Sequence, residues 1–227
     1  ILFITSHFKS SFNEERPKPN SLVYILDEET QKATWNSYDT MIDEWTMPYF
    51  GKDPETVKDP EADFSSKYRS NFSYKTDAPT IPLEQPGIVF NQIGDLDSIG
   101  MARYSLKIAP NRKINRIELF ANRNVNFREF KVNNLEAGEV FLGKQAFHIF
   151  TKRWQDRLLI YHAVNRDTLR LEFVVAPEEV PEFTLYEASY DLLDNPDLNV
   201  TPREKTMIPR PFVLNDAVIF KKIIRLP

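Results

Sequence analysis

The histidines are the residues of this chain best suited to proton transfer or metal binding, and there are three of them, His7, His148 and His162. His148 lies in an apolar run at 147–150 and His162 in another at 161–164, so we expect each inside a β-strand. Neither has an acidic residue at the spacing of a catalytic triad or of a metal ligand set. We therefore interpret both as structural residues, and we predict no catalytic residue and no metal site in this chain.

The composition excludes several other kinds of site. Cysteine is absent, which excludes thiolate catalysis, disulfide bonds and zinc sites built from cysteine. Only 6 of the 227 residues are glycine, and no glycine-rich stretch could hold a phosphate group. The formal net charge of −4 provides no overall positive field, so we predict no nucleic-acid partner.

Two acidic segments, at 95–97 and at 191–197, could offer oxygen ligands to a calcium ion. Neither follows the twelve-residue calcium-loop pattern, with its central glycine and its final glutamate. We interpret both segments as solvated turns. A cofactor is therefore not expected in this chain.

The tryptophans are the remaining candidates for ligand binding. Trp35, Trp45 and Trp154 occur among 17 phenylalanines and 9 tyrosines. Exposed aromatic rings on a β-sandwich can stack on sugar rings, whereas buried aromatic rings fill the core. The sequence does not fix the direction of Trp35, so two interpretations stay open: a core role, or a carbohydrate- or peptide-binding surface at Trp35 and Trp45.

Most of the chain alternates between apolar and polar side chains with a period of two, which predicts β-strands. The segments with this alternation, or with a short apolar run, are 22–26, 32–38, 103–108, 116–121, 147–150, 158–164, 169–175, 183–190 and 218–226. Strands at this spacing, separated by turns, are typical of a β-sandwich or a jelly roll. We predict an all-β, β-sandwich or jelly-roll-like fold.

Local signals refine this prediction. The turn at Pro110-Asn111 indicates that the strands before and after it form one pair. The apolar phase shifts by one residue between Phe127 and Phe130, which predicts a β-bulge.

Asp39 or Thr40 can cap a short helix near residues 40–50. Residues 52–87, rich in Pro, Asp, Lys and Ser, predict a long surface loop.

The start of the chain differs from the rest. Residues 1–8 are mostly apolar but too few to span a bilayer, which takes about 20 residues. They are either a first β-strand or the last turns of a membrane helix in a longer protein. The two prolines at 16–20 favour a stiff extended linker. We therefore predict a membrane-proximal segment and linker at 1–19, followed by one β-sandwich domain at 20–227.

Several phrases of the sequence resemble a known family. These phrases are PKPNSLVY at 17–24, KATWNSYD at 32–39, DEWT at 43–46, IAPNRKINR at 108–116, YDLL at 190–193 and MIPRPFVLNDA at 207–217. Together they resemble the C-terminal domain of the membrane-bound, zinc-dependent aminopeptidase-like proteins of metallopeptidase family 28. Bacteroidetes-type bacteria carry many of these proteins, and the endoplasmic reticulum metallopeptidase of animals is similar in layout. The phrases lie in order along nearly the whole chain.

The resemblance implies a longer parent protein, with an extracytoplasmic peptidase domain, several membrane helices and then this domain on the periplasmic face. The family's two zinc ions are held by His, Asp and Glu, and a further Glu acts as general base. Those motifs are not matched here, because no histidine is followed two residues later by aspartate. The glutamate pairs at 14–15, 28–29 and 178–179 also lack histidine partners.

The resemblance therefore implies a non-catalytic accessory domain that holds no zinc itself. Its expected partners are its own peptidase domain and membrane helices, and its expected role is docking on the peptidase domain or presenting substrate. The alternative function is a carbohydrate- or peptide-binding β-sandwich module, with a peptide or glycan as ligand.

Overall fold

The computed structural model describes residues 11–57, 71–94, 100–137, 140–142, 144–147, 150, 153, 155–179 and 181–226. These residues form sixteen β-strands, one α-helix of four residues and one 3-10 turn. The predicted all-β, sandwich-like fold is confirmed. Residues 1–8, which were expected to be a strand or the end of a membrane helix, lie outside the described residues.

The elements have the following bounds in chain order. The strands are β1 Lys18–Asn20, β2 Val23–Asp27, β3 Lys32–Ser37, β4 Tyr74–Ala78, β5 Gly87–Gln92, β6 Ala102–Ala109, β7 Ile114–Ala121, β8 Arg128–Val132, β9 Leu135–Glu136, β10 Val140–Leu142, β11 Gln145–Phe147, β12 Arg157–Asn165, β13 Leu169–Val175, β14 Phe183–Ser189, β15 Met207–Pro209 and β16 Ala217–Ile224. The helix α1 is Met47–Phe50, and the 3-10 turn is Pro177–Glu179.

The chain divides into two compact units. The first unit comprises Ile1–Leu26, Lys32–Ile81 and Tyr190–Val218. The second unit comprises Asp27–Gln31, Pro82–Ser189 and Ile219–Pro227. The boundary predicted between a linker at 1–19 and one domain at 20–227 stays a prediction.

The second unit is a β-sandwich with an apolar core that contains a cluster of aromatic rings. One sheet has the strand order β5-β6-β13-β8-β9, and the other contains β12-β7-β14-β16 in that order. Apolar side chains from both sheets form one buried cluster. At its centre the ring of Phe173 lies 5.1 Å from that of Phe127 and 5.8 Å from that of Phe183, both edge to face. Burying each such side chain stabilises the fold by about 2–3 kcal/mol.

Strands β6 and β7 do not pair with each other, so the strand pair predicted from the turn at Pro110-Asn111 is wrong. Strand β6 pairs with β5 and β13, whereas β7 pairs with β12 and β14. The turn therefore carries the chain from one sheet of the sandwich to the other. A period of two shows that one face of each strand is buried, but it is the same for a hairpin and for a crossing between sheets.

The predicted β-bulge is confirmed in β8. Between the pairs Glu172–Lys131 and Val174–Arg128, β8 contains one residue more than β13. Glu129, inside this interval, has a φ of +48°, in the left-handed region. The extra residue explains the phase slip, because it lets apolar side chains on both sides of the bulge turn toward the core.

In the first unit β2, β3 and β4 are neighbours in that order, and the short helix follows β3. The helix begins at Met47, later than predicted from a cap at residue 39 or 40. The carboxylate of Asp43 accepts the backbone N–H groups of Trp45 and Thr46 at 3.1 and 3.0 Å, which makes a tight turn. This turn replaces the first helical turn, and Gly51, with a φ of +76°, ends the helix.

Part of the predicted long surface loop is a strand. Strand β4 lies within it and pairs antiparallel with β3, with Trp35 opposite Thr76. The alternation along β4 covers only five residues, in which Lys75 and Asp77 point to solvent. That is too short to stand out from a stretch rich in charge and proline. Residues 58–70 of the same stretch lie outside the described residues.

A separate two-stranded sheet joins β1 to β15 in parallel, with Lys18 opposite Met207 and Asn20 opposite Pro209. The extended geometry predicted for this proline-containing segment is confirmed in β1. Among the residues that the structure describes, none of the helices is both long and apolar enough to cross a bilayer.

Candidate functional site

Several of the phrases that carry the family resemblance meet in the first unit around Asn20, a side chain that is 1 % exposed. The backbone carbonyl of Asn20 accepts hydrogen bonds from the N–H of Arg210 at 2.8 Å and from the amide of Asn215 at 2.9 Å. Its side-chain amide donates to Asp43 at 3.0 Å, and its side-chain carbonyl accepts from Nε of Arg203 at 2.5 Å. One residue thus joins segments that are far apart in the sequence.

A second centre of the same region is the buried carboxylate of Asp39. It accepts hydrogen bonds from the backbone N–H and the hydroxyl of Ser21, each at 2.9 Å. The guanidinium of Arg210 lies 3.4 Å from it, and the hydroxyl of Ser37 lies 3.0 Å from that of Ser21. Burial raises the pKa of Asp39, although the Ser21 bonds and the charge of Arg210 act against this rise.

Asp43 has the opposite shift. Burial alone would raise its pKa, but hydrogen bonds from Asn20 and Thr46 and the charge of Lys18, 3.5 Å away, lower the pKa below its usual value. Asp43 is therefore held as a carboxylate by the folded chain. Its oxygens accept bonds that position α1 and Asn20, which is a structural use of the charge.

Arg203 connects this network to an aromatic ring. Its two terminal nitrogens donate to the two oxygens of Asp216 at 2.7 and 2.6 Å, and its guanidinium carbon lies 4.0 Å from the ring centre of Trp45. Such a forked, stacked arrangement needs the planar guanidinium of arginine. We call the connected polar residues the polar clamp: Asn20, Ser21, Asp39, Asp43, Arg203, Arg210, Asn215 and Asp216.

The structure places Trp35 and Trp45, the residues predicted to bind a ligand, in the interior of the first unit, where they are 5 % and 7 % exposed. Trp35 packs against Tyr24 at 5.3 Å and against Tyr49 at 5.0 Å between ring centres. Nε1–H of Trp45 donates to the carbonyl of Thr201 at 2.7 Å. A stacking platform for sugars needs an open ring face, so their burial agrees with the core interpretation. Ligand binding by these two residues stays a prediction.

The other predicted positions are not brought together into a reactive site. His162 is exposed on β12, opposite Arg116 of β7. His148, Trp154 and the acidic segment at 95–97 lie outside the described residues. The segment at 191–197 consists of turns, as expected, and the N–H of Asp197 donates to the side chain of Asn195 at 3.0 Å.

Two buried carboxylates in the second unit were not predicted from the sequence. Glu187 of β14 has no exposed surface, and Nε of Arg112 lies 2.9 Å from it. Burial raises the pKa of Glu187 to about 7, against the lowering effect of Arg112. Glu118 of β7 is 1 % exposed, with Nε of Arg116 at 2.8 Å. The signal available in each case was a glutamate with an apolar or aromatic neighbour on both sides, Ile117 and Leu119 for Glu118, and Tyr186 and Ala188 for Glu187.

A carboxyl pKa near 7 suits acid–base catalysis, but geometry decides against that role here. Glu187 has no surface that a substrate could reach. Its partner Arg112 comes from the turn between β6 and β7, and this guanidinium also donates to the backbone carbonyl of Glu187 at 2.8 Å. The pair therefore fastens that turn to β14.

The first unit also contains an open groove beside β4, with a volume of about 560 Å³. Its lining includes Phe50, Asp53, Glu55, Lys75, Thr76 and Asp77. The sequence did not predict this groove, because it is formed by β4 and by a part of the chain that was expected to be irregular.

Chemically, these residues make a structural polar clamp, a buried ion pair and an accessible polar groove. Within the described ranges, the acidic and histidine side chains form no group of three or more that could hold a metal ion. Comparison of the sequence with models of known protein families found no match, and comparison with curated proteins found no match either.

Proposed function

We propose that this chain is a non-catalytic accessory domain of a membrane-anchored, zinc-dependent peptidase, placed on the extracytoplasmic side of the membrane. The observation that carries the proposal is the position of the resembling phrases in the fold. Three of them, at 17–24, 32–39 and 207–217, supply most of the polar clamp. A resemblance that includes residues which hold a fold together supports a shared domain fold.

The chemistry of the clamp favours a non-catalytic role. The carboxylates of Asp39, Asp43 and Asp216 each accept hydrogen bonds from donors of this chain. A carboxylate that activates water or binds zinc needs an oxygen free for that partner. These carboxylates instead organise β1, β15 and the segments around them, so the domain would act by docking on the peptidase domain or by presenting substrate.

The experiment that tests this proposal uses antibodies raised against the chain. They are used to precipitate material from detergent-solubilised membranes of the native organism. We expect the precipitate to hydrolyse aminoacyl reporter substrates, and we expect a zinc chelator to abolish that activity. The isolated chain, assayed in parallel with added zinc, is expected to show no turnover.

Two results would contradict the proposal. One is a precipitate that contains the chain but has no peptidase activity. The other is zinc-dependent turnover by the isolated chain that disappears in the His162→Ala variant.

A further inference from the structure

One edge of β4 is open over part of its length. Strand β4 is outermost in its sheet in the described part of the chain. At one end of the outer edge, Thr56 forms a bridge with Tyr74, and the N–H of Val57 donates to the carbonyl of Ser73 at 2.9 Å. Beyond that bridge, and as far as the structure describes the chain, residues 76–78 pair with β3 alone. An unpaired strand edge offers backbone donors and acceptors to an added strand.

The groove lies at this open edge. It is lined by residues 53–57 and by residues of β3 and β4, among them Thr34 and Thr76. Phe50, which is 6 % exposed, forms a small apolar part of the lining. A volume of about 560 Å³ lies within the range of sites that hold small ligands, about 300–1,000 Å³. The groove can therefore hold a few residues of an extended peptide.

The charges of the groove select the kind of peptide. Asp53, Glu55 and Asp77 bring three exposed carboxylates to the lining, and Lys75 brings one ammonium group. Charges at the rim of a binding site contribute mainly to specificity and to the rate of association. A peptide with basic side chains is complementary to this rim, and an acidic peptide is repelled.

We propose that this groove binds an extended, basic peptide segment, which adds as a strand to the open edge of β4. Strand addition supplies affinity through the backbone, and the acidic rim supplies the preference for lysine or arginine. As the place where a peptide substrate is presented, the groove rests on the function proposed above. As a peptide-binding site, it is testable without that function.

The test is a fluorescence anisotropy titration of the chain with three labelled hexapeptides. These are TKVKVT, its acidic counterpart TEVEVT, and TKVKVT with N-methylated backbone amides. We expect TKVKVT to bind, and we expect the acidic and N-methylated peptides each to bind about tenfold more weakly or worse. Equal binding of the acidic peptide would overturn the charge preference, and undiminished binding of the N-methylated peptide would overturn strand addition.

Two double variants localise the site. Asp53→Asn/Glu55→Gln is expected to weaken TKVKVT binding about fivefold or more. Glu14→Gln/Glu15→Gln removes the same charge from exposed positions that do not line the groove, and it should change the affinity by about twofold at most. Equal losses in both would show a general attraction to the acidic chain, and no loss in the first would place the site elsewhere. If the chain binds none of the peptides while the precipitate from native membranes is active, the peptide-binding proposal is overturned and the proposed function is not.

Discussion

Arg203 is buried, at 6 % side-chain exposure, and it satisfies its charge with three partners in the first unit. It forks onto Asp216, bonds to Asn20 and stacks on Trp45. None of these partners is predictable from the sequence near Arg203, because they come from three separate segments. The partners do lie in phrases of the sequence that resemble a known family, and only this resemblance distinguished those phrases.

We predict that Arg203→Lys lowers the free energy of unfolding by about 2 kcal/mol, because an ammonium group cannot reproduce the two parallel bonds to Asp216. Chemical denaturation measures this change. The matched control is Arg225→Lys, at an exposed arginine paired with Glu182 and Glu29, for which we expect no measurable change in stability. Similar losses in the two variants would show that the clamp does not depend on the guanidinium of Arg203.

Glu187 makes stability depend on pH. Its pKa is about 7 in the folded chain and 4.5 in the reference state, so the folded chain binds its proton more tightly. The unfolded chain releases this proton as the pH rises above about 4.5, so the stabilisation is lost between about pH 4.5 and 7. We predict a loss of roughly 3 kcal/mol across this interval, relative to the Glu187→Gln variant. Denaturation of both proteins across the pH range measures the difference, and parallel curves would contradict it.

At the scale of elements, local alternation was sufficient to predict most of the long strands and the bulge in β8. It did not predict partners, as β6 and β7 show, because pairing depends on contacts distant in sequence. The alternation also could not predict that Trp35 is buried, since both faces of β3 carry buried side chains. The short helix was displaced by Asp43, whose side chain competes for the backbone N–H groups of the first turn.

The hairpin between β8 and β9 provides a test of local backbone geometry. Its two loop residues, Asn133 and Asn134, have φ values of +48° and +66°, as a type I′ turn requires. We predict that Asn134→Gly keeps or raises the melting temperature, whereas Asn134→Ala lowers stability by about 1 kcal/mol, because alanine is strained at positive φ. Thermal unfolding of the two variants measures both changes in stability. An alanine variant more stable than the natural chain would contradict the type I′ turn.

At the scale of the whole molecule, the two units use buried charge in different ways. In the first unit the polar clamp gathers segments from near both ends of the sequence around β1 and β15. In the second unit a core of aliphatic and aromatic side chains is buried between the two sheets, and Arg112 and Glu187 fasten the crossing between these sheets. The all-β class followed from composition and period. The two-unit division and the groove did not, because both arise from contacts between distant segments.

The proposed accessory role is best tested by measuring aminoacyl hydrolysis in material precipitated from native membranes with antibodies to this chain, beside the isolated chain. We expect chelator-sensitive hydrolysis in the precipitate and none from the isolated chain with added zinc. A precipitate without peptidase activity, or hydrolysis by the isolated chain itself, would contradict it.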